Sequence, residues 1–350
     1  MKIILLYGGK SAEHEVSIVS AFSVLNAIYY EYYTVQLVMI TKEGQWLKGP
    51  LLTKAPTSEA ELDLVGSSQA MQINPGEIKE EGAVVFPVLH GPNGEDGTIQ
   101  GFLETLNMAY VGTGVLTSAC CMDKIMTKYI LQTAGIPQVP YVPVLINQWQ
   151  ETPQVIFEKC EGTLVYPMFI KPANMGSSVG ISKAENREEL AAALIEAYKF
   201  DTRAIVEQGI DAREVEVAIL GNDDVRTTLP GEVVKDVAFY DYNAKYIDNQ
   251  ITMQIPAETT AEVQEKAREY AKQAYTMLGG SGLSRCDFFL TAKNELFLNE
   301  LNTMPGFTPF SMYPLLWENM GLQYGDLIEE LIQLAIKRFE QRQGLFAEER

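Results

Sequence analysis

Arg285, Asp287, Glu300 and Asn302 have the types and spacing to do chemistry together. They lie in two aromatic-rich apolar runs, Arg285-Cys286-Asp287-Phe288-Phe289-Leu290 and Glu295-Leu296-Phe297-Leu298-Asn299-Glu300-Leu301-Asn302, which flank a short polar linker. That pattern predicts a β-hairpin. If the hairpin is symmetric about Lys293-Asn294, with a loop of two or four residues, Asp287 lies opposite Glu300 and Arg285 opposite Asn302. Side chains alternate along a strand, so all four share one face. Two facing carboxylates repel unless a cation sits between them. Asp, Glu and Asn oxygens suit magnesium, which usually completes its shell with waters and phosphate oxygens. The same residues also fit an ordinary hairpin with a solvated face, and the hairpin alone does not choose.

Other segments offer partners for such a site. In Tyr166-Pro167-Met168-Phe169-Ile170-Lys171 an apolar strand delivers a lysine, and Gly176-Ser177-Ser178-Val179-Gly180 follows as a small-residue loop. Exposed backbone N–H groups in such a loop can cradle phosphate, and the lysine supplies charge. A Gly/Ser loop is also simply a turn, but a lysine ending an apolar strand needs a partner. Glu13 lies between Gly8-Gly9 and a helix, where a carboxylate either caps the helix or holds an ammonium group. His90 ends an apolar strand, the position where open α/β sheets bind ligands.

The elements that must position these residues follow from periodicity. Ile3–Tyr7, Val35–Ile40 and Ala83–Leu89 read as strands, and Ile18, Phe22, Leu25, Ile28 and then Ile99, Phe102, Leu103, Leu106 mark helices. Strands alternating with helices predict a doubly wound parallel sheet. Residues 42–82 are polar and irregular, with no clear element. The dinucleotide fingerprint is absent, and Gly9-Lys10-Ser11 lacks the earlier glycine of a Walker A motif. A helix from Met122 to Gly135 and then three prolines between Ile136 and Pro143 suggest a domain boundary near 120–140. A helix at 187–198 and a strand at 204–207 come next. Arg213–Leu220 alternates strictly, with Glu214 and Glu216 on one face. Residues 234–250 are too polar for a core strand and too aromatic for a linker, as in an active-site lid. Helices at 261–278 and at the end of the chain complete the pattern. Three units are expected: an α/β unit at 1–121, then α+β units at 122–210 and 211–350.

The composition excludes several classes. With 350 residues, 47% hydrophobic and 21% charged, this is an ordinary globular chain with room for several cores. Its 46 Asp+Glu against 27 Lys+Arg, net −19, argue against nucleic acid and against an anionic membrane surface. Four cysteines without a Cys-x-x-Cys and two histidines, His14 and His90, argue against structural zinc and a disulfide scaffold. No run approaches a membrane span, and the reading is a cytoplasmic protein.

Taken together, the segments resemble the D-alanine–D-alanine ligases of the ATP-grasp superfamily over essentially the whole chain. The resemblance rests on Gly8-Gly9-Lys10-Ser11-Ala12-Glu13 with Val16-Ser17, Leu89-His90-Gly91 with Gly94-Glu95-Asp96-Gly97, and Met122-Asp123-Lys124. It continues in Lys171-Pro172 with Gly176–Gly180, Tyr240-Asp241-Tyr242 with Ala244-Lys245-Tyr246, and Arg285-Cys286-Asp287. It ends in Asn299-Glu300-Leu301-Asn302-Thr303 and Pro305-Gly306 with Ser311. The resemblance implies two α+β units forming an ATP-grasp behind the first domain. It implies a reaction in which a D-alanine carboxylate attacks ATP, and the amine of a second D-alanine attacks the acyl phosphate, for peptidoglycan precursor synthesis. It implies that Glu13 holds the first ammonium, bonded to Ser177 and Tyr246, with His90 near that substrate. Lys124, Lys171 and Lys245 would contact phosphates, while Glu207, Gln208 and Glu214 would meet adenine and ribose. Many relatives carry lysine where Gln208 stands, although glutamine can still donate. Asp287, Glu300 and Asn302 would hold two magnesium ions, with manganese as a substitute. Arg285 and the Gly306 N–H would stabilise the oxyanion, and Ser311 with the Met312 backbone would hold the second carboxylate. The family is typically dimeric, and Tyr246 matches its dipeptide-forming members rather than those that make D-alanyl-D-lactate.

Overall fold

The computed structural model describes residues 1–234 and 252–347, with side chains up to 345. In chain order the elements are β1 (Lys2–Gly8), α1 (His14–Ala27), β2 (Thr34–Ile40), β3 (Trp46–Leu52), β4 (Met71–Ile73), β5 (Val84–Val88), α2 (Thr98–Thr105), β6 (Ala109–Tyr110) and α3 (Val115–Met122). Then come α4 (Lys124–Thr133), β7 (Tyr141–Leu145), α5 (Ile146–Glu151), α6 (Pro153–Thr163), β8 (Met168–Pro172), β9 (Ser182–Ala184), α7 (Arg187–Ala197) and β10 (Arg203–Gln208). The remainder are β11 (Arg213–Leu220), β12 (Arg226–Thr227), β13 (Gly231–Val234), β14 (Thr252–Gln254), α8 (Ala261–Met277), β15 (Leu283–Leu290), β16 (Leu296–Asn302), α9 (Met312–Asn319) and α10 (Tyr324–Ala347).

The first sheet runs β4-β3-β2-β1-β5-β6. β1, β2, β5 and β6 are parallel, as expected. The central strands are near-continuous apolar runs because helices cover both faces. Residues 42–82 are not irregular throughout: they supply β3 and β4, which extend this sheet antiparallel. Their signal was hidden because β3 contains Gly49 and Pro50, and β4 is three residues with two exposed. The C-terminal α10 returns to this sheet, with Leu327, Ile328, Leu331 and Ile332 buried in one core with Ile3, Leu5 and Val24.

The second sheet, β7-β10-β8-β9, is wholly antiparallel. Its other face packs on α6 and α7 through Ile156, Cys160, Leu190 and Leu194. The third sheet, β14-β13-β11-β15-β16 with β12 beside β11, is also antiparallel. The apolar phase of β11, Val215, Val217 and Ile219, packs on α8 through Val263, Ala267 and Ala271. Period-two alternation therefore turns Glu214 and Glu216 the other way, into the cleft between the sheets. Asp123 marks the break between α3 and α4: its carboxylate accepts from the N–H groups of Ile125 and Met126, capping α4.

Candidate active site

A cleft of about 1120 Å³ is lined by strands of the second and third sheets and, from the first domain, by Glu13, α1 and the loop after β5. One wall is the β15–β16 hairpin. Asp287 pairs with Glu300 and Arg285 with Asn302, as the sequence predicts, but the route differs. Five residues, 291–295, separate the strands rather than two or four, with Asn294 at φ 63°. That turn sets Phe288 opposite Leu298, one residue out of the expected register. A bulge between Asp287 and Phe288 restores it, so that Asn299 and Glu300 both line the cleft. The bulge adds Asn299 to the site, a residue that strict alternation assigns to the buried face.

Arg285 lies among carboxylates. Its Nε donates to Asp287 Oδ1 and its Nη2 to Asp287 Oδ2, both at 2.7 Å, and Nε forms an ion pair with Glu216 Oε2 at 2.9 Å. Burial opposes the guanidinium charge, but Asp287 and then Glu216 outweigh it and push the pKa of Arg285 well up. Asn302 Nδ2 donates to Asp287 Oδ2 at 2.9 Å. Register makes Glu216, Asp287 and Glu300 a row of carboxylates across three neighbouring strands. The donor set of Asp287, Glu300 and Asn302 fits a hard divalent cation. Among the described residues no three His, Cys, Asp or Glu side chains form a metal cage, so donors from a bound phosphate would complete such a shell.

The opposite wall comes from α4, β8 and β10. Lys171 ends β8 and places Nζ 2.6 Å from Glu207 Oε2 and 3.4 Å from Asn299 Oδ1. Burial disfavours its charge, yet Glu207 raises its pKa on balance. The Glu207 carboxylate is itself buried, which works against ionisation, but Lys128 and Lys171 lower it to about 2. Both its oxygens are thus held by lysines. The Gln208 amide accepts from Val165 N and donates to the carbonyls of Val165 and Gly209. Both remain at the cleft, as does Glu214. Lys124 opens α4, where its N–H donates to Ala173 O at 3.0 Å and its Nζ to Met175 O at 2.5 Å. Burial lowers its pKa. These bonds tie α4 to the Gly/Ser loop.

Glu13 immediately precedes α1, yet its side chain does not cap the helix. It accepts a short hydrogen bond from Ser177 Oγ, joining the first sheet to the loop after β8. Ser177 and Ser178 have φ of 48° and 60°, two successive left-handed residues that fold the loop over the cleft. His90 sits below. Burial lowers its pKa, so the neutral ring donates from Nδ1 to Met304 O at 3.1 Å and accepts at Nε2 from Ser20 Oγ at 3.3 Å. The imidazole fixes the Met304–Gly306 turn. At the far end Ser311 precedes α9, with Thr308 N donating to its Oγ at 3.1 Å, and Gly306 beside it. Lys245 and Tyr246, with most of the lid expected at 234–250, lie outside the described residues.

Two family models match the chain, "D-ala D-ala ligase N-terminus" over residues 2–113 and "D-ala D-ala ligase C-terminus" over residues 130–333. The chain belongs to the D-alanine–D-alanine ligase family. It is 77% identical to a D-alanine–D-alanine ligase of Enterococcus hirae, across 99% of both sequences. Among solved structures, it is similar to the D-alanine–D-alanine ligase of Coxiella burnetii, at TM-score 0.84 and 34% identity over 99% of this chain and 98% of that one. It is also similar to the VanG D-Ala:D-Ser ligase of Enterococcus faecalis, at TM-score 0.85 and 34% identity over 95% of this chain and 99% of that one.

Four residues near this ligase-type cleft were not assigned from sequence. Asn299 was masked by the bulge. Glu216 was placed on the right face but given no task. Lys128 follows Lys124 by one helical turn, a spacing that could have drawn notice. Glu95 lines the cleft from the three-glycine loop after β5. Burial, then the carboxylates of Glu13 and Glu300, push its pKa up to about 8.

Proposed function

We propose that this protein joins two D-alanines into D-alanyl-D-alanine at the expense of ATP, for peptidoglycan precursor synthesis. The observation that carries the reading is one cleft lined by Glu13, by Lys124 and Lys171, and by Arg285 paired with Glu216 and Asp287. The family is ATP-dependent. The first D-alanine places its ammonium on Glu13, oriented by Ser177. Its carboxylate then attacks the γ-phosphate of ATP, breaking the β–γ bond so that ADP leaves and an acyl phosphate forms; Lys171 and Lys124 bind the phosphates, with Lys245 as a third phosphate ligand. Asp287, Glu300 and Asn302 would hold two magnesium ions, or manganese in their place. A divalent cation there supplies charge neutralisation for the phosphates. The second D-alanine sets its carboxylate at Ser311 and the N-terminus of α9, where helix N–H groups and the macrodipole favour an anion. Its amine attacks the acyl phosphate, phosphate leaves, and Arg285 with the Gly306 N–H stabilises the tetrahedral oxyanion. Glu207 and Gln208 border the adenine, Glu214 meets the ribose, and Tyr246 completes the Glu13–Ser177 link.

We also propose three units, 1–121, 122–210 and 211–350, working as a dimer in the cytoplasm. No helix among the described residues is long and apolar enough to cross a membrane. The deciding experiment is phosphate release with ATP, magnesium and D-alanine, set against L-alanine, D-lactate, and D-alanine mixed with D-serine. D-alanine alone should support turnover, and silence with D-alanine alone refutes the reading. A product mainly containing D-serine would instead favour the activity in the name of the Enterococcus faecalis structure.

A further inference from the structure

Lys128 has no part in the reaction as derived so far. Its side chain is 1% exposed, it does not line the cleft, and its Nζ lies 5.3 Å from the centroid of the Tyr141 ring. Nζ is also 2.8 Å from Glu207 Oε1, while Lys171 Nζ is 2.6 Å from the other oxygen of the same carboxylate. Strand register explains the second contact. Lys171 pairs with Ile205, so Glu207 is its diagonal neighbour on one face of β8 and β10. The helix explains the first, since α4 carries Lys124 and Lys128 one turn apart. The three groups form a closed row, Lys128–Glu207–Lys171, with Lys171 and Glu207 at the cleft and Lys128 behind them.

We infer that Lys128 is a positioning residue for nucleotide phosphate binding, neutralising Glu207 so that Lys171 is held in place yet keeps its full positive charge for the ligand. This rests on the reading of Lys171 as a phosphate ligand. A lysine alone would carry the charge on a flexible four-carbon stem. A lysine paired with Glu207 alone would be fixed, but its field would be cancelled by the carboxylate. With Lys128 added, the row has two positive charges and one negative, so Glu207 no longer cancels the charge that Lys171 carries at the cleft. The depressed pKa of Glu207 fits a carboxylate ionised at all working pH values.

The test measures the affinity of the full chain for ATP without divalent metal, for adenosine, and the KM for D-alanine. Thermal melting reports folding. Lys128→Met should weaken ATP by about tenfold or more, about 1.4 kcal/mol, while adenosine binding stays unchanged. It should leave the KM for D-alanine unchanged as well. The double variant Lys128→Met with Glu207→Gln removes both charges, leaves no unpaired buried carboxylate, and should recover most of the ATP affinity. A folded Lys128→Met with parental ATP affinity overturns the inference. So does equal weakening of ATP and adenosine without recovery in the double variant. If Lys128→Met does not fold, the double variant alone decides: near-parental ATP affinity supports the inference, and selective loss of ATP overturns it. Lys171→Met separates the two levels. If it leaves ATP binding intact, the reading of Lys171 fails, whereas weakened ATP in Lys171→Met beside a parental Lys128→Met defeats the inference alone.

Discussion

Asp287 and Glu300 are paired across the hairpin, and the pairing is reached through a bulge that brings Asn299 to the same cleft. A hairpin without it would be one residue out of step with its own turn. Asp287 also accepts two hydrogen bonds from Arg285 and one from Asn302, which define where its oxygens point. Asp287→Asn keeps the shape but removes the charge facing Glu300. The magnesium concentration for half-maximal rate should rise by about tenfold or more, since even outer partners of metal ligands cost that much. Initial rates against magnesium at saturating ATP provide the measurement. An unchanged requirement would remove Asp287 from the metal site.

Arg285 is fixed from two sides, by Asp287 and by Glu216. Arg285→Met should lower kcat/KM by about 3 kcal/mol or more of transition-state stabilisation, the range for deleting one oxyanion donor. It should also destabilise the fold, because Glu216, Asp287 and Glu300 then stand in a row without their internal cation. Near-normal kcat in the variant would exclude the oxyanion role.

Much of this was legible because strand periodicity is strict. Glu214 and Glu216, and the four hairpin residues, were placed on the correct face by counting in twos. The Asp287–Glu300 pairing came out right although the assumed loop was wrong, because the fifth loop residue and the bulge at Asn299 compensate each other. A bulge has no fixed composition, so Asn299 was invisible. Glu207 illustrates a different loss. Its strand was evident, but its lysine partners come from α4 and β8, and such pairing depends on tertiary placement. Glu13 lies between: its position allowed a cap or a ligand anchor, and its side chain makes no cap but bonds the distant Ser177. β3 was missed because Gly49 and Pro50 interrupt its pattern, and β4 because it is a three-residue edge strand with two exposed residues.

Ser177 connects the loop after β8 to Glu13. Ser177→Ala leaves the Glu13 carboxylate without that donor, at a cost of about 1 kcal/mol, or about fivefold. The loss should appear as a higher KM for D-alanine at the first site, with ATP affinity measured without D-alanine nearly unchanged. Steady-state kinetics at varied D-alanine and a direct nucleotide titration separate the two. An equal fall in ATP affinity would mean that Ser177 acts on the phosphate loop rather than through Glu13.

Glu95 predicts a pH dependence of stability with an unusual sign for a carboxylate. It is partly buried, and desolvation with the nearby Glu13 and Glu300 charges raises its pKa from an ordinary 4.5 to about 8. Between those values the folded chain keeps a proton that the unfolded chain releases, so stability falls as pH rises. The contribution is fully present below the unfolded pKa and lost as pH climbs through about 8. Glu95→Gln keeps the size of the side chain and removes its titration. Against the parent, the variant should gain relative stability between about pH 5 and about pH 9, read from urea midpoints at matched ionic strength. A difference between the two proteins that stays constant over that range would show that Glu95 is already ionised in the fold.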